Sequence, residues 1–390
     1  MLIVKLAYRN IKGAGLRTWL NVAVLSMAYV LIIWHQGLFT GMLKQASNAM
    51  ISDEIGGGQY WHENYDPYDP LTYEDSHAAV PQQLEATVQN SEAVAILIRQ
   101  GTIYPEGRMQ SVLLKGIDPS QKVLDIPTAS LVVEGDILPV MVGRRMAKSM
   151  AIGLGDELTI RWRDANGTFD AVDAKIAVIM DTEVINIDKG QLWLPLERLR
   201  EMARLEGEAT IIVVGEGKEA QDDISGWIFR DRDFLLSDIY AMVRSKRVSS
   251  TVMYSILLFL AILAIFDTQV LAIFRRRKEI GTLIALGMTR FRVVALFTLE
   301  GAIHGILAIA FGAIYGIPLI VFTARHGIGL PQATESYGYA LTGRLFPSYS
   351  LRLVLVTVFI VMTTVTIVSF MPSRKIAKLK PTEALKGKLS

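Results

Sequence analysis

The sequence from Arg275 to Arg292 reads Arg-Arg-Arg-Lys-Glu-Ile-Gly-Thr-Leu-Ile-Ala-Leu-Gly-Met-Thr-Arg-Phe-Arg and separates two long apolar segments. Four consecutive cations, Arg275 to Lys278, end the first of these segments, and Arg290 and Arg292 begin the second. Cytoplasmic loops of membrane proteins carry such an excess of Lys and Arg. We therefore expect this loop on the cytoplasmic side of a membrane, between two transmembrane helices.

A short helical pattern lies between the cations. Its apolar or small residues recur at positions i, i+3, i+4 and i+7, which is one face of a helix; they are Ile280, Leu283, Ile284 and Gly287. A short amphipathic helix at a membrane surface can be an interfacial anchor, or it can dock a cytosolic partner. Basic runs beside membrane spans most often only set topology. The pattern therefore does not decide between an interfacial anchor and a docking helix.

Apolar segments elsewhere complete the predicted topology. About 20 apolar residues suffice to cross a bilayer, and four segments meet this length: 17–39, 247–274, 293–323 and 350–371. The third exceeds one straight crossing, and Pro318 offers a place for a break. A basic amphipathic helix is expected over residues 1–16, a short outer loop over 324–349 and a basic tail over 372–390. Both termini are therefore expected in the cytoplasm.

Composition and charge support a membrane domain combined with a large water-soluble domain. The chain has 390 residues, 51% of them apolar, which exceeds the usual share of a soluble protein. Residues 40–243 carry 33 acidic and 18 basic side chains, a net charge of −15, and the rest of the chain is +17. The basic residues cluster at the ends of apolar segments, which is a topology signal and not a nucleic-acid signature. The chain has no cysteine, so thiolate chemistry and disulfides are excluded.

Residues 40–246 are expected to form an exported α+β domain with stalk ends, where the first two transmembrane helices continue past the lipid. Short β-like segments separated by turn residues run through it; they are Ala93–Ile98, Ser111–Ile117, Leu131–Val133, Glu157–Arg163, Lys175–Met180 and Thr210–Val214. Arg144–Ile152 and Pro195–Leu205 favour helices. The fold class is thus a membrane protein of four transmembrane helices with a large α+β periplasmic domain inserted between helices 1 and 2.

Three segments of that domain could suggest chemistry. Gly56–Gly58 could cradle phosphate, but no Lys-Ser/Thr follows, so a flexible hinge is the better interpretation. The aromatic and acidic run from Tyr60 to Pro70 could bind a peptide, a cation or an acyl chain, or be an ordered loop. Gly153–Glu157 is expected to be a tight turn without chemistry.

Three polar residues lie inside the predicted spans. Asp267 lies about two helical turns before the arginine cluster, and Glu300 and His304 are four residues apart, on one helical face. Ionisable residues within hydrocarbon are functional candidates by default. Together the three could line a proton path; pairing with neighbouring polar groups is the alternative.

Two longer motifs resemble a known family. Glu279-Ile280-Gly281-Thr282-Leu283-Ile284-Ala285-Leu286-Gly287 resembles the E-I-G-x-L-R-A-x-G coupling segment of FtsX-like permeases, the membrane subunits of MacB- and Lol-type ABC transporters. The segment Pro372–Leu385 resembles that family's closing P-x-R-[RK]-x-A-x-L-x-P-x-E-A-L. Ile284 stands where the family usually has Arg, which puts a polar contact from that position in doubt. In layout the chain is most similar to the lipoprotein-releasing permeases LolC and LolE.

The resemblance implies that this chain works with a separate ATPase. The P-loop string G-x-x-x-x-G-K-[ST] is absent, as are G-x-S-x-G, H-E-x-x-H and the Rossmann glycines. We therefore expect a non-catalytic subunit without a cofactor or metal of its own, whose partner binds ATP and Mg²⁺. The resemblance assigns ATPase coupling to Glu279, Ile280, Gly281, Leu283, Ala285, Leu286 and Gly287. It also implies a second permease copy or paralogue and the bacterial inner membrane as location.

Three functions remain open at this stage. The first is extraction of lipoproteins from the outer leaflet of the inner membrane, driven by motion of the exported domain. The second is MacB-like export of peptides, toxins or drugs through a periplasmic adaptor. The third is FtsX-like signalling to cell-wall hydrolases without cargo.

Overall fold

The computed structural model describes residues 15–133, 137–217, 224–329 and 344–374. Two compact units are present. The helical unit contains residues up to Met42, from Met242 to Gly329 and from Leu345 onward, and the β-rich unit contains Leu43–Ala241. The helix predicted over 1–16, most of the outer loop and nearly all of the basic tail lie outside the described residues.

Four long helices dominate the helical unit. In chain order the helices of the molecule are α1 (Leu16–Met50), α2 (Gln82–Gln89), α3 (Arg144–Met150), α4 (Ile185–Gly190), α5 (Leu196–Ala203), α6 (Arg232–Leu235), α7 (Ser237–Arg275), α8 (Arg277–Ala285), α9 (Arg290–His326) and α10 (Leu351–Ser373). Among the described residues, α1, α7, α9 and α10 are long and apolar enough to cross a membrane. Each contains one of the four predicted spans, so the chain has the helices of a multi-pass membrane protein.

Two of these helices are longer than a bilayer requires. At 1.5 Å per residue, the 35 residues of α1 extend about 52 Å and the 39 residues of α7 about 58 Å. The hydrocarbon core of a bilayer is about 30 Å thick. Both helices therefore continue beyond the apolar segments from which they were predicted. A π-helical turn, Ile51–Ile55, follows α1 directly.

Glycines on α9 bring it close to two neighbouring helices. A Cβ on Gly301 would lie 2.3 Å from the Cβ of Ser369 in α10, and one on Gly316 would lie 2.7 Å from Val30 Cγ2 in α1. Small residues of this kind let transmembrane helices approach closely. Pro318 lies inside α9, which is helical from Arg290 to His326, so the expected break is absent there.

The β-rich unit is built on one nine-stranded sheet. The strands of the molecule are β1 (Gly58–His62), β2 (Ala78–Ala79), β3 (Ala93–Ile103), β4 (Gln110–Ile117), β5 (Leu138–Gly143), β6 (Glu157–Arg163), β7 (Phe169–Met180), β8 (Gln191–Pro195), β9 (Glu208–Ala209), β10 (Ile211–Val214), β11 (Trp227–Arg230), β12 (Ile328–Gly329) and β13 (Arg344–Leu345). The sheet has the order β11-β1-β10-β3-β4-β8-β5-β7-β6.

An additional pairing closes part of this sheet on itself. β6 pairs with β3 in the register Gly101↔Trp162, Thr102↔Arg161 and Ile103↔Ile160. Strands β3, β4, β8, β5, β7 and β6 therefore form a closed ring, and β10, β1 and β11 extend from the first half of β3. Closure removes free strand edges, and alternate residues of the ring strands fill its interior.

The core of this unit lies on both faces of the sheet. Leu114, Val140 and Ile160 belong to one buried cluster, and Ile98 and Trp193 belong to another, which α1 joins through Ala49 and Met50. At about 25 cal/mol per Å² of apolar area buried, such clusters are the main stabilisation of the fold.

Two predictions for this unit were wrong. Leu131–Val133 is not a strand: Thr128–Leu131 forms a 3₁₀ turn that packs Leu131 into the core, and no strand is assigned at Val132 and Val133 among the described residues. The glycine run Gly56–Gly58 is not a loose hinge. Gly56 has φ +61, and a Cβ on Gly57 would lie 2.3 Å from the carbonyl oxygen of Gly215, so the run permits close backbone packing.

Candidate coupling site

The chain reverses direction at Arg276, between α7 and α8. Arg276 has φ −98 and ψ 18, and its N–H still donates to the carbonyl of Ala272 in α7. Its own carbonyl accepts from Ile280 N in α8. One residue therefore belongs to the hydrogen-bond ladders of both helices, and α8 begins immediately after α7 ends.

The side chain of Arg276 forms two ion pairs. Its Nε donates to Glu279 Oε2 at 2.5 Å within the turn, and its Nη1 donates to Glu300 Oε1 of α9 at 3.1 Å. The guanidinium also lies 5.3 Å from the ring centroid of Phe297. The Glu300 side chain is only 7% exposed, whereas Glu279 is 56% exposed. Arg276 thus joins the α7–α8 turn to a buried carboxylate of α9.

Apolar contacts also hold α8 against the ends of α7 and α9. Ile280 is 1% exposed and belongs to a cluster with Ile273 of α7 and with Val293, Val294 and Phe297 of α9. Ile284 and Met288 pack against that cluster, and Gly281 is buried. Of the predicted apolar face, Ile280 and Ile284 therefore pack against the ends of the long helices, whereas Gly287 is exposed.

The other side of the segment faces outward. Leu286 is 80% exposed and Phe291 is 78% exposed, and Ala285 is also exposed. Leu283 is partly buried. Large exposed apolar side chains beside cationic residues are suited to contact with another protein or with lipid headgroups.

Gly287 ends α8. Its φ is +94, a left-handed conformation that residues with a Cβ rarely adopt. Its N–H donates to Ile284 O at 3.1 Å, and Met288 N donates to Leu283 O at 3.0 Å, the two bonds of a Schellman cap. Thr289 then caps α9 by accepting from Arg292 N. Gly287 therefore has a structural task, the reversal of the chain into α9.

The three intramembrane candidates are not assembled into one cluster. Glu300 is paired with Arg276, and His304 Nδ1 lies 2.6 Å from the Glu300 main-chain oxygen. Asp267 is exposed on α7, and no ion pair joins it to a cation within the described part of the chain. The contacts of Glu300 with Arg276 and of His304 with the Glu300 main chain are those of a structural pair.

Sequence reasoning missed the role of Arg276. It treated the four cations from Arg275 to Lys278 as one topology signal, although they have different environments. The Arg276 side chain is 24% exposed and paired, while Arg275 and Lys278 are exposed. The available signal was Glu300 itself, because a carboxylate in an apolar helix requires a cation or a hydrogen-bond donor nearby.

Comparison with family models identifies this region. Residues 251–381 match the model described as FtsX-like permease C-terminal. This range is similar to the C-terminal part of FtsX-like permeases and holds 131 of the 390 residues. It begins in α7, includes α8, α9 and α10, and contains both motifs that suggested the family, except for the last residues of the second.

Comparison with solved structures returns a more distant likeness. One match is the crystal structure of the extracellular domain of the noncanonic ABC-type transporter YknZ from Gram-positive bacteria. The two chains share 12% sequence identity. Their alignment covers 41% of this chain and 83% of the YknZ domain, with a TM-score of 0.25. At that TM-score the likeness supports no conclusion about the β-rich unit. No curated protein matches the chain.

Proposed function

We propose that this chain is the permease subunit of an ABC transporter that releases lipoproteins from the bacterial inner membrane. A separate ATPase subunit binds ATP and Mg²⁺ and docks on the cytoplasmic side of α8. ATP-driven movement of α8 shifts the long helices, which move the β-rich unit on the periplasmic side. The transporter contains a second permease, either a copy of this chain or a paralogue, and both termini are cytoplasmic.

The observation that carries the proposal is the two-sided character of α8 and the turn after it. One side is packed on α7 and α9 through Ile280 and the Arg276 ion pairs, and the other presents Leu286 and Phe291 to solvent. A rigidly attached segment with exposed apolar side chains is what a mechanical docking point requires. ATP can do work through it only if the ATP-bound and free ATPase contact it differently.

The attachment of α1 to the sheet supports a lever mechanism. In the π turn that follows α1, Asp53 Oδ2 accepts from Thr182 Oγ1 at 2.7 Å, and Glu54 pairs with Lys115 at 3.0 Å. The Lys115 side chain is 5% exposed and that of Glu54 is 17% exposed. Such buried, hydrogen-bonded charges hold the end of the helix in one orientation. A displacement of the turn Ile51–Ile55 would therefore be passed to the strands that hold it.

We favour lipoproteins as the cargo because a separate ATPase and a large soluble domain are also the layout of the lipoprotein-releasing permeases LolC and LolE. The helix α7 offers a surface for acyl chains, because Ile256, Phe259 and Leu263 are all at least half exposed along it. MacB-like export of peptides, toxins or drugs would use the same coupling with a periplasmic adaptor. FtsX-like signalling to cell-wall hydrolases would need no cargo.

The experiment that tests the proposal is a mild-detergent pull-down of the chain from its native host, with intact-mass analysis of all bound proteins. We expect an ABC ATPase and a triacylated protein. An ATPase with a periplasmic adaptor and no acylated protein would favour export, and an ATPase with a cell-wall hydrolase would favour signalling. Recovery of no ATPase from a correctly folded chain would contradict the proposed coupling.

A pair of matched variants locates the docking surface. Leu286→Asp places a charge on the exposed side of the α8 turn and should remove most of the ATPase from the pull-down. Leu71→Asp places the same charge on the β-rich unit, where Leu71 is 84% exposed, and should leave ATPase recovery unchanged. Equal recovery with both variants would place the ATPase elsewhere on the chain.

A further inference from the structure

Arg276 lies in an environment different from that of Arg275 and Lys278, which are exposed. Its guanidinium contacts a carboxylate of α8, Glu279, and a carboxylate of α9, Glu300, through different nitrogen atoms. The two partners differ in environment, since Glu279 is 56% exposed and Glu300 is 7% exposed. The side chain therefore spans from the solvent-facing side of the turn to the buried side of α9.

The chemistry of arginine suits this arrangement. Its planar guanidinium has several N–H donors in a fixed fork and remains charged at all physiological pH values. Nε is directed to Glu279 and Nη1 to Glu300, so both contacts fix the orientation of one rigid plane. The Phe297 ring beside that plane restricts it further. Hydrogen bonds between charged groups are also stronger than those between neutral ones.

The apolar contacts of α8 cannot supply the same restraint. Ile280 packs against the ends of α7 and α9, and this packing holds α8 close to them. Hydrophobic attraction is non-directional, so it permits sliding and tilting of one helix on another. The ion pairs fix a direction, because their strength depends on the alignment of donor and acceptor.

We propose that Arg276 is a positioning residue that fixes α8 to α9, so that force applied at the exposed Leu286 turn displaces α9 instead of bending the junction of α7 and α8. This inference rests on the proposed docking role of α8. It assigns to one of four consecutive cations a mechanical task distinct from setting topology. The neighbouring Arg275 provides the matched control, since it is exposed and forms no ion pair with any residue that the structure describes.

Spin-label mobility tests the inference in the full chain. The sequence has no cysteine, so Leu286→Cys creates a single site for a nitroxide on a side chain that is 80% exposed. The labelled chain is reconstituted in lipid vesicles with Arg276→Gln, Arg276→Gln/Glu300→Gln or Arg275→Gln. We expect the mobile component of the spectrum to increase several-fold with both Arg276 variants and to stay at the parent level with Arg275→Gln.

The double variant separates positioning from charge neutralisation. Arg276→Gln alone leaves the buried Glu300 carboxylate without its partner and should lower the thermal stability of the chain. Arg276→Gln/Glu300→Gln removes both charges, so thermal stability should recover towards that of the parent, while the label at position 286 stays mobile. A double variant that regains parent stability and parent mobility would overturn the inference, as would unchanged mobility in Arg276→Gln.

The result is distinguishable from failure of the proposed function. Mobility at position 286 is a property of this chain alone, whereas ATPase docking is measured by the pull-down. If the parent chain recovers no ATPase but the labels behave as expected, the docking role fails and the α8–α9 restraint remains. If ATPase is recovered and the labels do not respond, the positioning role of Arg276 fails.

Discussion

Replacement of Gly301 by alanine tests the packing of α9 against α10. An alanine Cβ at this position would lie 1.9 Å from Ser369 Oγ and 2.3 Å from Ser369 Cβ. Rotation of the serine side chain moves its Oγ but not its Cβ. Because carbon atoms pack at about 3.5–4.0 Å, the two helices would have to separate by roughly 1 Å or more.

The expected loss of stability can be estimated from two opposing effects. Overpacking of a close contact costs about 1–3 kcal/mol, and a clash between two Cβ atoms belongs near the upper limit. Alanine is favoured over glycine in a helix by about 1 kcal/mol. The net loss for Gly301→Ala is therefore about 2 kcal/mol. Gly312→Ala, on the same helix, is the control, because its nearest atom is Ser26 Cβ at an ordinary 3.4 Å.

Thermal unfolding of the detergent-solubilised full chain, followed by tryptophan fluorescence, measures the difference. We expect a lower melting temperature for Gly301→Ala and an unchanged or higher one for Gly312→Ala. Removal of the opposing side chain in Gly301→Ala/Ser369→Gly should restore most of the loss. Equal shifts for the two alanine variants, or a double variant as unstable as Gly301→Ala, would refute the close contact between α9 and α10.

Three further predictions concern the turn after α8 and the β-rich unit. Gly287→Ala should destabilise the chain by about 1–2 kcal/mol, because φ +94 strains any residue with a Cβ although no atom lies within 4 Å; Gly287→Asn should be tolerated better, and an equal thermal shift would argue against the left-handed cap. Lys115→Met should cost about 3 kcal/mol by removing the cation from Glu54, which keeps the hydrogen bond from Gln191 Nε2, and Lys115→Met/Glu54→Gln should regain most of it in the same assay. Burial raises the pKa of Glu183 above its usual 4.5, so its stabilising contribution is present below pH 4.5 and lost as the pH rises through the raised pKa. Glu183→Gln should therefore be more stable than the parent chain only at pH values above the raised pKa of Glu183. A difference in melting temperature that stays constant across pH would contradict the burial effect.

The transmembrane helices could be predicted from sequence because hydropathy reports the lipid environment directly. The expected stalk ends indicated that the helices continue past the lipid, but the residues at which they begin and end could not be predicted. The first span was predicted to end at residue 39, whereas α1 continues to Met50, and the second to begin at 247, whereas α7 begins at Ser237. The additional turns contain polar residues that a helix tolerates outside lipid as readily as a loop does, so hydropathy carries no signal for them.

The strands were predicted less completely because their pairing is non-local. Glu157–Arg163 forms β6 with the predicted limits, but β3 extends to Ile103, beyond the predicted Ile98. The additional residues Gly101–Ile103 pair with both β4 and β6, and the second of these pairings closes the ring. No local pattern in either strand specifies that partner, since strand propensity depends on the tertiary surroundings.

The candidate site shows the same division between local and non-local information. The packing of Ile280 and Ile284 could be predicted because it depends on spacing within one short helix, whereas Gly287, predicted on the same face, is exposed beyond the end of α8. The ion pair of Arg276 and Glu300 joins residues 24 apart across a chain reversal. Four adjacent cations look equivalent in sequence, and the fold is what gives Arg276 a buried partner.

The contacts of α9 give movement of α8 a path to α1 and α10. At its start, the Arg276 ion pair and the Ile280 cluster join it to α8. Further along, Gly301 and Gly305 bring it against α10, and Gly316 brings it against Val30 of α1. Closely packed interfaces transmit displacement because they have little free volume in which to deform. A displacement of α8 that does not break these contacts must therefore carry α9, and with it α1 and α10, as one body.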